Sequence, residues 1–556
     1  MKISKALRVL SCFAALALVA ACTKSYTAQK TAAGLNPWTI PGTLRIGIPD
    51  EPDNLNPMFA HTAETDEVDQ LIFAPLFRYD DRGEFYPELA TVLPSYSNGG
   101  ISTDGRRITI HLRRGVKWAD GAPLTARDWL FTYHAVMNNA NNTKLRFGWD
   151  NIASVILPDD YTIVVRLKAP NADFLGNLAS GGAAYPPLPE HLLGKLPDLN
   201  RANFNNSPLS SGPWILQRWN HGSSLEFIPN PNYWRGPPKL QHLTLRVLPN
   251  ADTQLAQLQT HEIDVYPGVN EDQIERVKSI PGIIAQQRLV ANWRHVAFNT
   301  RRPTLADQRV RLAIAEAVDW DRILATIYHG VNIRAHSDVY PRSWAAPNIP
   351  LYKYDPTDAR RLLHDAGWTM GSDGVLHKGP LAMHVTLSAT TATHANEQTE
   401  VQIQQDLKPL GIAIEIKNYP TSLMFAQSGP LYTGNYDMEW SIDTNGPDPD
   451  NEGLWSGRFI PPKGADTSWV NDPTINADSH AAILTYDRAK RKALYQKEED
   501  RIHALVPAIF IYWEDQYNAW NSDVKNYKPA PFIANNWNSW EWEVGPPSAQ
   551  GTPTSH

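Results

Sequence analysis

Alternating apolar and polar positions predict several β-strands along this chain. Residues 44–48, 108–112 and 412–416 each place an apolar side chain at every second position, which is the period of a strand with one buried face. The run LVPAIFIYW, residues 505–513, is instead apolar at nearly every position. That pattern is typical of a strand covered on both faces, as in a mixed or parallel sheet flanked by helices.

Apolar residues three and four positions apart predict helices between these strands. Val68, Leu71 and Ile72 predict a short helix that ends or kinks at Pro75. Residues 360–367 predict another short helix, which stops at a glycine.

The segment at residues 104–137 predicts a strand, a turn and a capped helix in succession. Asp-Gly at 120–121 turns the chain after the strand. Thr125 and Asp128 then have the spacing of a capping box, in which each side chain satisfies a backbone amide at the start of the helix. We therefore expect a helix from about residue 126 that packs on the preceding strand.

A longer helix is predicted over residues 310–324, whose apolar residues fall on one helical stripe. The stripe predicts a core-forming helix. The charged residues Arg309, Arg311 and Glu316 lie off it, and we expect them to face solvent.

The most informative stretch is YDMEWSIDTNGPDPDNEGLW, residues 436–455. Its first six residues alternate and predict a half-buried strand, while the prolines and glycine of residues 445–450 exclude regular structure. Asp443 is thus predicted where a strand end meets a loop, beside Trp440 and Trp455. A carboxylate near aromatic walls suits a cationic ligand. The same residue types also form ordinary turns, and that interpretation stays open.

The N-terminus predicts secretion and lipid attachment. Basic residues 2, 5 and 8 precede an apolar run at residues 9–21 that is too short to span a membrane as a stable helix, the pattern of a signal peptide. The signal ends in Leu-Val-Ala-Ala-Cys, which resembles the lipobox of bacterial lipoproteins. Residues 1–21 are therefore predicted to be removed and Cys22 to carry the lipid. A plain signal with an incidental cysteine is the alternative.

Cysteine content and net charge argue against several kinds of site and partner. Cys12 lies within the predicted signal, which leaves a single acylated cysteine and no cysteine for a disulfide or metal site. The formal charge of −7 becomes −10 without the signal, which carries three basic residues and no acidic ones; this argues against nucleic acid as a partner. The 19 tryptophans and 21 tyrosines suit a cleft that holds a ligand by shape, although many will pack in cores.

Several motifs together resemble one family. They are DDRGEFYPELA at 80–90, LRRGVKWADGAPLTARDW at 112–129, SGPWILQRW at 211–219, PNPNYWRGPPKL at 229–240, LQTHEIDVYPGV at 258–269, FNTRRPTLADQRVRLAIAEAVDWDRIL at 298–324, and the stretch at 436–455. In this order they are similar to the family 5 extracellular solute-binding proteins, the peptide-binding receptors of bacterial ABC transporters. The resemblance covers roughly residues 44–540. His261, where glycine is usual, and Trp320, where arginine is usual, depart from it.

The resemblance implies an α/β fold of the periplasmic-binding-protein type, class II, with two lobes around a cleft, mixed sheets and an extra small domain. It also implies the following boundaries: tether 22–42; lobe I from 43–60, 210–295 and 500–545; small domain 61–209; lobe II 296–499; disordered tail 546–556. The implied protein is a monomeric receptor, held at the outer side of a bacterial membrane by its lipid, that delivers short peptides to ABC permease subunits. No catalytic residue, metal or cofactor is implied.

The resemblance also implies candidate binding residues. In peptide-binding members the ligand is extended and paired like an added strand, and its amine meets an Asp three residues after a Trp; here these are Asp443 and Trp440. Counting from the Leu-Asn-Pro turn at 55–57 gives His61, Thr62 and Ala63 as main-chain contacts. No motif identifies a partner for the ligand carboxylate.

Phe147 and Trp149 follow the capped helix and are candidates for an aromatic wall of the cleft. A role in the core is the alternative for both.

Three alternatives to peptide binding remain open. The same fold also serves oligosaccharides and nickel complexes. A calcium loop over residues 443–452 is disfavoured because Pro447 and Pro449 disrupt its pattern. A secreted hydrolase, such as a carboxylate-pair glycosidase, lacks a positive signal: the chain has no HExxH, GxSxG or GxxxxGK motif.

Overall fold

The structure is a computed structural model that describes residues 34–59, 62–143, 146, 148–179, 185–390, 393–532 and 535–545. Its strands are β1 Thr43–Ile48, β2 Phe77–Tyr79, β3 Phe85–Pro87, β4 Arg107–His111, β5 Ile152–Asp159, β6 Thr162–Leu167, β7 Trp214–Asn220, β8 Ser224–Pro229, β9 His242–Val247, β10 Val265–Val269, β11 Ile283–Phe298, β12 Ile333–Arg334, β13 Thr369–Met370, β14 Leu376–Lys378, β15 Leu381–Ala382, β16 His384–Thr390, β17 Ala413–Tyr419, β18 Met438–Thr444, β19 Ala508–Asn521, β20 Val524–Lys525 and β21 Glu543–Val544.

The α-helices cover the strands on both sides. They are α1 Ala63–Ile72, α2 Ala126–Met137, α3 Glu190–Leu193, α4 Ala251–Gln259, α5 Ile274–Lys278, α6 Gln308–Ala317, α7 Trp320–Thr326, α8 Pro356–Asp365, α9 His394–Leu407, α10 Thr421–Met424, α11 Pro430–Thr433, α12 Glu452–Trp455, α13 Pro473–Ile483 and α14 Arg488–Leu505. None of the helices in the described ranges is long and apolar enough to span a membrane.

A mixed sheet of eleven strands forms the frame of the molecule, in the order β17-β16-β18-β11-β19-β10-β1-β9-β8-β7 with β12 beside β19. Parallel pairs join β1 to β9 and β16 to β17, whereas β11 is antiparallel to both β18 and β19. The strands predicted near residues 44, 412 and 508 are confirmed as β1, β17 and β19.

Two long strands cross between the lobes. β11 has 16 residues and β19 has 14, and they pair from Ile283–Asn521 at one end to Ala297–Ala508 at the other. The register shifts between Leu289 and Trp293, near the middle. A strand of 16 residues spans roughly 50 Å, so one pair of strands reaches both lobes and connects them. The predicted domain boundaries stay predictions.

Separate apolar cores lie on either side of the crossing. One cluster joins β1, β9 and the small domain, and includes Leu44, Trp129 and Leu243. A second cluster lies in the other lobe, which is the lobe that contains α6 to α9. Val296 of β11 and Ile509 of β19 are among its members. Because each lobe buries its own apolar surface, the cleft between them can change shape without exposing either core.

The small domain confirms the predicted strand, turn and capped helix. β4, β6 and β5 form a three-stranded antiparallel sheet, and β4 corresponds to the predicted strand. Both halves of the capping box are present at α2: Thr125 accepts from the helix backbone, and the Asp128 carboxylate accepts from the Thr125 amide at 2.8 Å. The cap orients α2 against the sheet, as the sequence predicted.

The prediction of one helix over residues 310–324 with solvated charges is wrong in two respects. The segment forms two helices, α6 and α7, because Asp319 caps the second one by accepting from the Arg322 amide. Arg311 and Glu316 are buried, at 4% and 5% exposure. The Arg311 guanidinium donates to four backbone carbonyls, at residues 305, 306, 505 and 506, so it joins α6 to the end of α14.

The strand predicted over residues 436–441 is shifted and covered on both faces. β18 runs from Met438 to Thr444, so Asp443 lies inside the strand. Met438 and Trp440 pack into the second core on one face. Glu439 and Ser441 on the other face are buried as well, so the predicted half-buried strand is wrong. Periodicity along the strand could not reveal the second layer, since that layer comes from residues distant in sequence.

His261 adopts the left-handed conformation that favours glycine, with φ of 61°. It follows the C-terminus of α4, a position where glycine commonly ends a helix. The imidazole stacks on Trp38, with ring centroids 3.6 Å apart and planes within 4°. This contact offsets part of the strain and accounts for the departure from glycine.

Candidate functional site

Asp443 is positioned by the pairing of β18 with β11. Asp443 lies opposite Trp293, and Ser441 opposite His295, without a register shift. Alternation therefore places Asp443, Trp293 and His295 on one face of the sheet. The Asp443 side chain is 41% exposed near the C-terminal end of β18, whereas the His295 side chain on the neighbouring strand β11 is buried.

The Asp443 carboxylate has no cationic partner among the described residues. The nearest basic side chain is His295, whose Nε2 is 3.9 Å from Asp443 Oδ2, too far for a hydrogen bond. Burial and the charge of Arg294 lower the pKa of His295 to about 3, so the imidazole is neutral at physiological pH. Partial burial and the negative charge of Asp338 raise the pKa of Asp443 to about 6. The carboxylate is thus ionised at neutral pH and uncompensated.

Two more carboxyl groups surround Asp443 without neutralising it. Asp338 is buried and accepts from Trp455 Nε1 at 3.0 Å. Glu439, on the same face of β18 and 2% exposed, accepts from Thr467 Oγ1 at 3.1 Å. Burial and the charge of Asp443 raise the pKa of Glu439 to about 8, so this group is mostly protonated at pH 7. The local field is negative, which favours a cation at Asp443.

Trp440 and Trp455 are both buried and do not form an aromatic wall around Asp443. Trp440 is three residues before Asp443 in a continuous strand, so the two side chains point to opposite faces. Trp440 is 2% exposed within the second core. Trp455 is buried on the same side as Trp293, with ring centroids 6.4 Å apart, and its indole holds Asp338. Trp440 thus packs in the second core, and Trp455 positions the Asp338 carboxylate.

Two further candidates lie at the start of α1. Thr62 caps this helix by accepting from the Thr65 amide, and Ala63 is its exposed first residue. No hydrogen bond or ion pair joins either residue to Asp443 within the described part of the chain. Their role as main-chain contacts remains a prediction. His61 lies outside the described residues.

Trp149 occupies the core of the small domain. Its ring is 5.7 Å from Trp129 and 5.5 Å from Tyr185, centroid to centroid, and it is buried. The structure thus shows the core placement that was the alternative to a cleft wall. Phe147 and Cys22 lie outside the described residues.

A cavity lies between the small domain and the other lobe. Residues 342–344 and residues 447–448, which belong to the loop after β18, form part of its lining. The loop after β18 is tied to residues 338–344 because Asn445 donates to the Asp338 carbonyl, and Asn445 also accepts from Trp293 Nε1 at 2.9 Å. The cavity has a volume of about 610 Å³. Asp338 carries no motif or periodic signal, so sequence reasoning had no means of finding it.

The acidic loop forms ion pairs within the protein. Asp448 accepts from Arg491 Nη1 at 2.8 Å, and the Glu452 carboxylate accepts from Arg458 Nη1 at 2.9 Å. In the described residues no group of three or more His, Cys, Asp or Glu side chains is arranged to hold a metal ion. The loop therefore serves as a structural connection beside the cleft.

Comparisons with known proteins agree with this architecture. The oligopeptide-binding protein AppA of Bacillus subtilis is 26% identical over 508 residues, which are 88% of this chain and 89% of AppA. The dipeptide-binding protein of Escherichia coli is 26% identical over 501 residues, 86% of this chain and 91% of that protein.

Solved structures confirm the expected two-lobed α/β fold. AppA of Bacillus subtilis in complex with a nonapeptide matches with a TM-score of 0.77 and 24% identity, over 91% of this chain and all of that one. NikZ of Campylobacter jejuni in complex with Ni(L-His) matches with a TM-score of 0.77 and 25% identity, over the same shares. The model of the bacterial extracellular solute-binding proteins, family 5 middle, matches residues 84–459, more than half of the chain. The chain therefore belongs to the family 5 bacterial extracellular solute-binding proteins.

Proposed function

We propose that this protein is the extracytoplasmic receptor of an ABC importer and binds short peptides in the cleft between its lobes. It hands the closed complex to the permease subunits as a monomer, and a lipid on Cys22 holds it at the membrane. Relatives named for oligopeptide and dipeptide binding support a peptide as the ligand.

One observation carries the proposal: Asp443 is ionised at neutral pH, half-exposed, and has no cationic partner in the described structure. A partly desolvated carboxylate without a counter-ion is unfavourable in the free protein. The α-ammonium of a peptide would supply the missing charge, and an extended main chain could then run along the cleft.

A nickel complex is the second candidate, because NikZ with bound Ni(L-His) has a closely similar fold. The described residues offer no metal-ligand cluster, so such a ligand would enter as a preformed chelate.

Asp443→Asn tests the anchor. The mature protein is mixed with a pool of random di- to hexapeptides, and the peptides that remain after gel filtration are identified and titrated by calorimetry. We expect Asp443→Asn to weaken binding of a free-amine peptide by about 2 kcal/mol or more, roughly 30-fold, because the ammonium loses its charged partner. The melting temperature should not fall, because the substitution removes an uncompensated charge.

Glu415→Gln is the matched control, since Glu415 is a largely exposed carboxylate on β17, two strands from β18 in the sheet. It should leave affinity unchanged, and acetylation of the peptide amine should reproduce the effect of Asp443→Asn in the wild type. Equal affinity of wild type and Asp443→Asn would remove Asp443 from the site. Binding of Ni(L-His) and of no peptide would select the second candidate.

A further inference from the structure

The turn between α13 and α14 touches the small domain through hydrogen bonds. The Tyr486 hydroxyl lies 2.8 Å from the Asn171 carbonyl and 3.3 Å from the Gly105 carbonyl, both of which accept from it. The Ala172 amide donates to the Ile483 carbonyl at 2.8 Å. These bonds connect residues more than 300 positions apart in the chain. We call this contact the latch.

The latch joins two bodies that have separate apolar cores. On one side, Leu167 and Phe174 flank the latch residues and belong to the same cluster as Leu44 of β1. On the other side, Ile475 of α13 and Ile502 of α14 belong to a different cluster, which also contains residues of β11 and β19. Because a shared core holds its parts together, the small domain and β1 form one body, and α13 and α14 belong to the other. Movement of one body away from the other at this point breaks the latch.

Polar groups and little apolar surface hold the latch together. Tyr96 meets the Tyr486 ring edge-on, with centroids 5.4 Å apart, and is 48% exposed; Leu484 in the turn is 36% exposed. Tyr96, Ala172 and Tyr486 also line the cavity of about 610 Å³. Water beside these groups can replace their partners when the contact opens. Opening therefore costs a few net hydrogen bonds and leaves both cores intact.

Both sides of the latch present the hydrogen-bonding groups that the other side needs. Ile483 is the last residue of α13, and the last four carbonyls of a helix have no donor within the helix. The Ala172 amide supplies a donor from the small domain. Burial raises the pKa of the Tyr486 hydroxyl, which therefore keeps its proton and remains a donor at neutral pH.

Carboxyl groups also meet beside the latch, and burial limits their repulsion. The charges of Asp448 and Asp450, in the loop after β18, act on Asp173 of the small domain. Together with burial they raise the pKa of Asp173 well above its usual range, which favours the neutral form. Burial raises the pKa of Asp450 to about 7, and Arg491 donates to Asp448 at 2.8 Å. These groups therefore allow the two bodies to stay in contact.

We propose that the latch holds the two bodies together in the ligand-free protein and slows the release of a bound ligand. A ligand enclosed between lobes leaves only when the lobes separate, so each bond that must break first lowers the release rate. The effect on release rests on the proposed function, whereas the latch of the ligand-free protein does not.

Hydrogen exchange followed by mass spectrometry tests the latch in the mature, ligand-free protein. The reporter is the Ala172 amide, which exchanges when its bond to Ile483 opens. We expect this amide to be protected in the wild type. Tyr486→Phe should make it exchange about fivefold faster, because one neutral hydrogen bond is lost. Tyr486→Ala also removes the contact with the Tyr96 ring and should accelerate exchange about 30-fold.

Tyr352→Phe is the matched control, because the Tyr352 hydroxyl donates to the His503 carbonyl at 2.9 Å within the body that contains α14. It should leave exchange at Ala172 unchanged. Three results would overturn the latch: an Ala172 amide that exchanges in the wild type as in an unfolded peptide, a rate that Tyr486→Phe does not change, or an equal increase in Tyr352→Phe.

Peptide release tests the functional half of the proposal. A peptide that the wild type retains from the random pool is labelled, and its dissociation is followed after addition of excess unlabelled peptide. We expect Tyr486→Phe to raise the dissociation rate by about fivefold and to change the association rate by less than about twofold. Faster exchange at Ala172 with an unchanged dissociation rate would overturn the role in release. Retention of no peptide would overturn the proposed function, and the exchange experiment would still decide on the latch.

Discussion

At the scale of single residues, the site depends on carboxyl groups held in different protonation states. Asp443, Glu439 and Asp338 approach one another, yet burial and mutual repulsion raise the pKa of Asp443 to about 6 and that of Glu439 to about 8. The strand thus presents one negative charge at neutral pH while its buried neighbour stays protonated. A single exposed anion is what recognition of one ammonium requires.

Peptide affinity should depend on pH through Asp443. Binding needs the ionised carboxylate, whose pKa in the free protein is about 6, so protonation competes with the ligand below that pH. We expect the dissociation constant of a free-amine peptide to be nearly constant from pH 7 to 7.5 and to rise below about pH 6, approaching tenfold per pH unit. Calorimetric titration from pH 4.5 to 7.5 measures this. Asp443→Asn should show no such rise, and a rise of equal size in that variant would assign the dependence to another group.

Glu439 should make folding stability depend on pH in the opposite direction from a salt-bridged carboxylate. Its folded pKa of about 8 lies above the ordinary value of 4.5, so the folded state holds the proton more tightly and stability is lost as pH rises from about 4.5 to about 8. Glu439→Gln removes this loss. We expect the variant to match wild type in urea unfolding near pH 5 and to exceed it by a few kcal/mol near pH 9. A constant difference across that range would contradict the protonated state.

At the scale of elements, α6 shows how two arginines in one helix differ in role. Arg309 is exposed and pairs with Asp307, whereas Arg311 is buried and donates to the Leu505 and Val506 carbonyls at the end of α14. Those carbonyls belong to a helix terminus that has no intrahelical donors left, so the guanidinium acts as a cap supplied from another part of the chain. Burial lowers the pKa of Arg311 to about 10, and the side chain remains charged at neutral pH.

Arg311→Ala should therefore destabilise the protein by roughly 2–5 kcal/mol, because several buried carbonyls lose their donors. Arg309→Ala on the same helix is the matched control and should change stability by about 0.5 kcal/mol or less. Urea unfolding followed by tryptophan fluorescence measures both. Equal effects of the two substitutions would show that burial of Arg311 is not the reason for its contribution.

At the scale of the whole molecule, β11 and β19 join two lobes that have separate cores. The register of this pair shifts between Leu289 and Trp293 and again between Arg294 and His295, near the middle of β11. A local irregularity in otherwise continuous strands is a suitable place for bending, since few hydrogen bonds change when the lobes move. The turn between α13 and α14 contacts the small domain, where the Tyr486 hydroxyl donates to the Asn171 carbonyl.

Membrane attachment should depend on Cys22 alone. In a bacterial host, we expect the wild type in the membrane fraction, with lipid on Cys22 as the first residue of the mature chain. Cys22→Ser should release the protein from the membrane, and fractionation with mass spectrometry of the N-terminal peptide measures this. Cys12→Ser, the matched control within the predicted signal, should behave as wild type. An unmodified Cys22 in the mature wild type would contradict the prediction.

The local elements and the family could be predicted from the sequence alone. The alternation before Pro49 and the capping box at Thr125 and Asp128 depend only on residues close in the chain, and the structure reproduces both. The family motifs also led to Asp443 as a candidate. These predictions succeeded because helix and strand periods and caps are properties of short segments.

The surroundings of those segments follow from the three-dimensional fold. It placed Trp440 and Asp443 on opposite faces of β18, buried Arg311, brought Asp338 beside Asp443, and formed a cavity between the small domain and the other lobe. Each of these results from contacts between residues far apart in the chain. Burial and charge depend on the layer that packs against an element, and no local period encodes which layer that will be.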